Sequence, residues 1–358
     1  MANDCFYVRM PKAELHAHLN GSVSRETIRE LEALKKVRVP TYDGLTEAES
    51  AIIAHGDSVP LSEVFKLFPL IQKLTDSADA VELATSRVIS EFADDGVKYL
   101  ELRSTPRSNP EIGMTKRDYL SAIQRAIASA PIATKFIVSI DRRQPISEAQ
   151  QTIELAIELA AKKPGWIVGV DLSGAPEHDG RPFIPLLKAA IDAGLKCSLH
   201  LAEREEDLYE LSEMLECTHR IGHGTFVSSS RECERKVIER NIPIEICLTS
   251  NVKCRTVVGY RDHHVNRWLD RKHPVAISTD DKGVFDTTLS REYECLAEHF
   301  FESASESDDA KRSAQQRAFD VSVQAMDAAF LGADDKSALL EMHWRSFAAE
   351  NSLQFAPL

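Results

Sequence analysis

Short apolar runs alternate with longer stretches of helical periodicity along the chain. Eight runs read as strands: 14–19, 97–103, 135–140, 166–172, 196–201, 220–225, 243–248 and 274–278. Those in the middle are rich in β-branched and apolar residues, as strands buried on both faces should be. Between them, 146–162 repeats apolar residues at helical spacing, and 183–193 does so after a proline. A β-then-α alternation repeated eight times predicts an α/β fold, a (β/α)8 TIM barrel, as one domain spanning 1–358.

The rhythm breaks twice. From about 20 to 95 lies a helical insertion, in which Val64, Phe65, Leu67, Phe68, Leu70, Ile71 and Leu74 mark an apolar helix face within 61–74. Because it follows the C-terminal end of a strand, it is expected over the barrel mouth as a lid. An ordinary packed helical hairpin fits the same pattern. From about 286 to 358 the chain reads as extra C-terminal helices, with 303–311 (SASESDDAK) a charged surface turn. No internal repeat, low-complexity tract or inter-domain linker stands out.

Composition narrows the function. Of 358 residues, 43% are hydrophobic, enough for a large core. Lys plus Arg number 43 against 56 Asp plus Glu, a net charge of -13. Such a surface argues against nucleic-acid or anionic-membrane partners, and any anionic substrate must be drawn by a local positive cluster. No apolar run approaches the roughly 20 residues that span a bilayer. The start, MANDCFYVRMPK, is not read as a signal peptide. Seven cysteines include no C-x-x-C, so reduced thiols in a cytoplasmic protein, acting as a monomer, are expected.

Chemistry enters at the strand ends. His16 and His18 are two residues apart, so in a strand they share one face and can hold one metal. Two packed or solvated histidines give the same letters. Later ends add Arg103-Ser-Thr-Pro-Arg107, Asp141-Arg-Arg143, Asp171-Leu-Ser-Gly174, His200-Leu-Ala-Glu203, Gly222-His223-Gly224, Thr249-Ser-Asn251 and Thr279-Asp-Asp281. Packing does not need strands that run into acids, histidines and arginines, and in a barrel these ends converge on one mouth. His16, His18 and His200 offer neutral nitrogen and Asp280 a carboxylate oxygen, a set that suits one zinc ion; ligand type alone also admits iron(II), manganese or cobalt. Glu203, three residues after His200, is placed as an acid or base, with His223 and Asp281 as further proton-handling groups. Each has a structural alternative: a satisfied core histidine, or Asp280-Asp281 capping a helix.

His16-x-His18, His200-x-x-Glu203, Arg220-Ile-Gly-His223-Gly224 and Ser278-Thr-Asp-Asp281 resemble, in order and over nearly the whole chain, the adenosine deaminase branch of the metal-dependent amidohydrolases. The resemblance implies that His16, His18, His200 and Asp280 bind zinc. It implies that Glu203 protonates the purine ring nitrogen beside the attacked carbon, and that His223 orients and deprotonates the attacking water. Asp281 would hold that water and the imidazole edge of the purine, and the Gly174 N–H would reach the other ring nitrogen.

One departure bears on substrate. Adenosine deaminase proper has Leu-Asp-Gly in the first motif, where this chain has Leu19-Asn20-Gly21. A carboxylate about 4 Å from a 5′-phosphate is repelled by roughly 4 kcal/mol at an effective dielectric near 20. An amide removes that repulsion and can donate. Hydroxyls and a guanidinium in Ser104-Thr-Pro-Arg107 suit phosphate. With Asp141-Arg-Arg143, Leu248-Thr-Ser-Asn251 and Thr279-Asp-Asp-Lys-Gly-Val-Phe285, these residues resemble the adenosine deaminase-like subfamily that hydrolyses N6-methyl-AMP. That resemblance implies Asn20, Ser104, Thr105, Pro106, Arg107 and Asp141 as substrate contacts, with Gln72 standing where relatives carry a lid histidine. The expected substrate is therefore N6-methyl-AMP or a related purine nucleoside monophosphate. Deamination of unphosphorylated adenosine is the alternative, and a non-catalytic purine-nucleotide sensor a distant one. The H-x-E…P-C-x-x-C signature of base-editing deaminases is absent.

Overall fold

The computed structural model describes residues 5–55, 65–302 and 307–356. Eight parallel strands follow one another around a single sheet: β1 Lys12–His18, β2 Val97–Ser104, β3 Ala133–Asp141, β4 Ile167–Ser173, β5 Lys196–Leu201, β6 Arg220–His223, β7 Ile244–Ile246 and β8 Val275–Ile277. The ring closes between β8 and β1, where Ala17 bridges Asp280. His18 N–H donates to the Asp280 carbonyl at 2.9 Å, and Asp280 N–H donates to the His16 carbonyl at 2.8 Å. This is the (β/α)8 barrel.

The later strands are shorter than the sequence runs imply. β6 stops at His223, and β7 ends at Ile246, so Thr249, Ser250 and Asn251 open the helix Leu248–Lys253 instead of finishing a strand. The C-terminal charged stretch also differs. Ser307 accepts from the Ala310 N–H and caps the helix Asp308–Ala328, so 308–311 is a first helical turn; 303–306 lies outside the described residues. Side-chain caps start other helices too, as in the reciprocal Thr115–Asp118 box before Lys116–Ala128.

Between β1 and β2 stand the helices Arg25–Arg38, Glu47–His55, Leu67–Leu74 and Ala78–Asp94. Residues 61–64 of the expected apolar face lie outside the described residues. The remainder buries Leu67, Leu70, Ile71 and Leu74. No helix among the described residues is long and apolar enough to cross a membrane.

The strands carry two different faces. Outward residues such as Leu15, Leu102, Ile140, Leu172, Leu199 and Ile246 are fully buried beneath the helices. Most such barrels fill the interior with branched apolar side chains, but this one holds charged residue types. Glu14, Glu101, Arg103, Asp171, Arg220 and Glu245 are all 0% exposed. Most are tolerated because they neutralise one another: Arg220 pairs with Glu101 at 2.5 Å and with Glu245, and Arg103 pairs with Glu245 at 3.0 Å, while Glu14 accepts from the Thr279 N–H and hydroxyl, both at 2.9 Å. After Ala328 the chain passes under the N-terminal ends of the strands, and the Phe330 ring packs beneath Gly169 of β4, where an added Cβ would sit 3.2 Å from the ring.

Leu199→Ala is expected to lower the unfolding free energy by about 2–5 kcal/mol through a cavity between β5 and its helices. A fall in the urea midpoint with unchanged far-UV circular dichroism checks it.

Candidate active site

His16 and His18 reach the mouth from alternate positions of β1, His200 from β5, and Asp280 from the turn after β8. Among the described residues, one ligand atom from each falls within 4.8 Å of the other three. Asp280 Oδ1 lies 3.4 Å from Nε2 of both His16 and His18. The Nε2 atoms of His18 and His200 face each other at 3.1 Å. His16 Nε2 is buried without a hydrogen-bond partner. Three imidazole nitrogens and a carboxylate oxygen converging on one point, one of them orphaned, fit a divalent cation and satisfy no protein donor.

The other nitrogens of His200 and His16 are fixed from below. His200 Nδ1 donates to Asp171 at 2.8 Å, and His16 Nδ1 donates to Glu245 at 2.5 Å. Burial works to raise both carboxyls. The His200 imidazole hydrogen-bonded to it outweighs this at Asp171, and Arg103 and Arg220 do so at Glu245, so both stay well below the usual carboxylate range. Asp280 is steadied by the Ser250 hydroxyl, which donates to Oδ2 at 2.7 Å.

Beside this group lie the residues expected to handle protons. His223 Nε2 is 3.9 Å from both Glu203 Oε2 and Asp280 Oδ2. Burial pushes the His223 imidazole below its ordinary pKa, despite the opposing charges of Glu203 and Asp280, so it is neutral near pH 7. Asp281 is held well above the carboxylate range by burial and by the charge of Asp280, with Oδ1 buried and unpartnered. His223 and Asp280 both have φ of 62°, a left-handed conformation unusual for non-glycine residues. The His223 turn is held by His264, whose Nε2 donates to the His223 carbonyl at 2.9 Å.

The remaining expected contacts occupy the same end of the barrel but are differently engaged. Asn20 and Thr105 are half-buried after β1 and β2, and Pro106 is buried. Ser104 is buried, its hydroxyl 2.7 Å from that of Tyr119. Arg107 lies 5.2 Å over the Tyr119 ring and donates to the Thr75 carbonyl at 2.7 Å, so it ties the end of β2 to the insertion. Gln72 receives Arg107 only through its backbone carbonyl, at 3.5 Å, and its side chain is exposed. Asp141 binds the Arg143 guanidinium at 2.5 Å; a Cβ on Gly174, whose φ is +98°, would lie 2.3 Å from Asp141.

Sequence reading passed over Glu245 and His264; it named Ser250 and Arg142 only within strand-end segments and gave them no role, whereas Arg142 donates to the His200 carbonyl at 2.7 Å and pairs with buried Glu210. The one available signal was a lone charge inside an apolar strand, as in Ile244-Glu-Ile246.

A parallel barrel that gathers such a set at its strand ends has the architecture of a metal-dependent hydrolase. The family model described as adenosine deaminase matches residues 11–343. The chain is 44% identical over 306 residues to the N6-methyl-AMP deaminase of Bos taurus, covering 82% of this chain and 86% of that one. It superimposes on the N6-methyl-AMP deaminase of Arabidopsis thaliana with a TM-score of 0.83 at 34% identity, over 96% of this chain and 99% of the other. Arabidopsis ADAL complexed with IMP matches with the same TM-score and identity, over 97% and 99%. The chain belongs to the adenosine deaminase family.

The loops after β1 and β8 leave no spare room. A Cβ on Gly21 would fall 1.6 Å from Asp281 Oδ1, while the Gly21 carbonyl accepts from Gly283 N–H at 2.9 Å and Val284 N–H at 3.0 Å. Gly21→Ala is therefore expected to displace the Asp281 carboxyl and cost about 100-fold in kcat, with metal content retained. Steady-state rates and metal analysis of the purified variant check both.

Proposed function

We propose that the chain hydrolyses N6-methyl-AMP to IMP and methylamine. The observation that carries this is the gathering of a complete hydrolytic set at one mouth, in a chain 44% identical to an N6-methyl-AMP deaminase over 82% of its length. His16, His18, His200 and Asp280 hold one zinc ion. Bound there, zinc supplies Lewis acidity that brings the pKa of water from about 15.7 to about 7.

The chain's own residues do the rest. His223, neutral and beside the ligand group, takes the proton of the attacking water. Glu203 transfers a proton to the purine ring nitrogen next to the sixth carbon, which makes that carbon more electrophilic. Water oxygen adds to the sixth carbon, and the carbon–nitrogen bond then breaks. His223 returns the water's proton to the departing methylamine, the ring nitrogen keeps the proton from Glu203, and the adduct's hydroxyl proton restores Glu203 as the carbonyl forms, so N6-methyl-AMP and water balance IMP and methylamine. Asp281, buried beside Asp280, orients the water and the imidazole edge of the purine, and the Gly174 N–H meets the remaining ring nitrogen.

Substrate choice falls to the β1 and β2 ends. Asn20 places an uncharged amide by the 5′ position, and Ser104, Thr105 and Arg107 face the phosphate with Pro106 shaping the turn; Gln72 offers an amide from the insertion. Asp141, beside Gly174, completes the rim.

Two measurements test this. N6-methyl-AMP is expected to be turned over well ahead of adenosine in parallel assays; a wide preference for adenosine overturns the phosphate reading. Glu203→Gln is expected to keep its metal and lose at least about 100-fold in kcat, and near-normal turnover would remove Glu203 from the mechanism.

A further inference from the structure

His16 cannot choose its role. A carboxylate only accepts, so the contact between His16 Nδ1 and Glu245 Oε2 at 2.5 Å puts the ring proton on Nδ1. The Nε2 lone pair is thereby left pointing at the other three ligands. The device works only while Glu245 stays in place, and Glu245 is 0% exposed. It is held by the Ser198 hydroxyl at 2.8 Å, by Arg103 Nη2 at 3.0 Å and by Arg220 Nε.

Arg220 is the link that leaves the site. Its Nη2 pairs with Glu101 at 2.5 Å, and its Nη1 donates to the Ala328 carbonyl at 2.7 Å. Its guanidinium carbon lies 3.9 Å from the centre of the Phe330 ring, and the Phe330 N–H donates to the other Glu101 oxygen at 2.5 Å. The half-buried Phe330 closes the floor of the barrel, at the opposite end from the ligands. Without that ring, water reaches Arg220 and competes for the donors that fix Glu245.

We propose that Glu245 is a positioning residue for the metal centre, and that Phe330 and the Ala328 carbonyl hold it in register through Arg220. None of these groups touches substrate. They act on metal affinity by presenting His16 in one tautomer and one orientation, as outer-shell partners of ligating histidines do. The inference rests on the four-ligand site proposed above.

The test is titration of the chelator-stripped full chain with Zn2+ in competition with a chromogenic chelator, alongside melting of the metal-free chain. The parent is expected to bind one equivalent. Glu245→Gln should weaken Zn2+ binding by about 10- to 100-fold, and Phe330→Leu by roughly 2- to 30-fold. The double variant should bind no more weakly than Glu245→Gln alone, because both changes act along one line of contacts. If Phe330→Leu melts at a lower temperature but binds Zn2+ as the parent does, its role is structural only and the coupling is overturned. Unchanged affinity in Glu245→Gln overturns the positioning role itself. A parent that binds no Zn2+ overturns the metal site, and with it the relay. Where Glu245→Gln gives no folded chain, Phe330→Leu decides alone.

Discussion

Glu245 accepts from His16, Arg103, Arg220 and Ser198 at the centre of the barrel, and the geometry of the mouth depends on that one carboxylate. An ion buried so deeply is costly unless every charge around it is paired, and removing one partner of such a group costs about 3–5 kcal/mol. Here four strands contribute to the group. β2 brings Glu101 and Arg103, β6 brings Arg220, β7 brings Glu245 and β1 brings His16, so the ion pairs fix the strands' relative positions as well as the ligands.

The mouth is built on that fixed floor. β1 and β8 are laced through Asp280, whose N–H and carbonyl bond to His16 and His18. The ligand strands thus set one another's spacing before any cation arrives. The same turn holds Asp280 at positive φ, and His223 shares that conformation. Such residues cost on the order of 1–3 kcal/mol each and persist where the surroundings over-determine them. The Ser250 hydroxyl on Asp280 and the His264 imidazole on the His223 carbonyl do so here.

The insertion meets the mouth through polar contacts. Arg107 joins the end of β2 to Thr75, and Lys282, the residue after Asp281, pairs with Glu91 of the helix Ala78–Asp94. In the proposed function, a phosphate beside Arg107 would meet a guanidinium already oriented by the insertion, which lowers the ordering cost of binding. The proposed choice between nucleotide and nucleoside thus rests on contacts between the insertion and the barrel, beyond the identity of Asn20.

The alternation of short apolar runs with helical stretches was enough to read the barrel, because burial under helices imposes apolar outward faces that any sequence must show. The residues that gather at the mouth were legible as polar letters at strand ends, where packing has no use for them. Strand lengths were not, since Cys247 and Leu248 are as apolar as a strand requires and only the hydrogen-bond pattern puts Leu248 in a helix. The charged interior was hidden for a different reason. Glu101, Arg220 and Glu245 are far apart in sequence, and each looks like an exposed residue until its partner is known. The sequence by itself determined which groups converge at the mouth, since period and position place them. Only the tertiary structure decided which charges neutralise which, because a buried ion's partner is set by distance across the barrel and not by spacing along the chain.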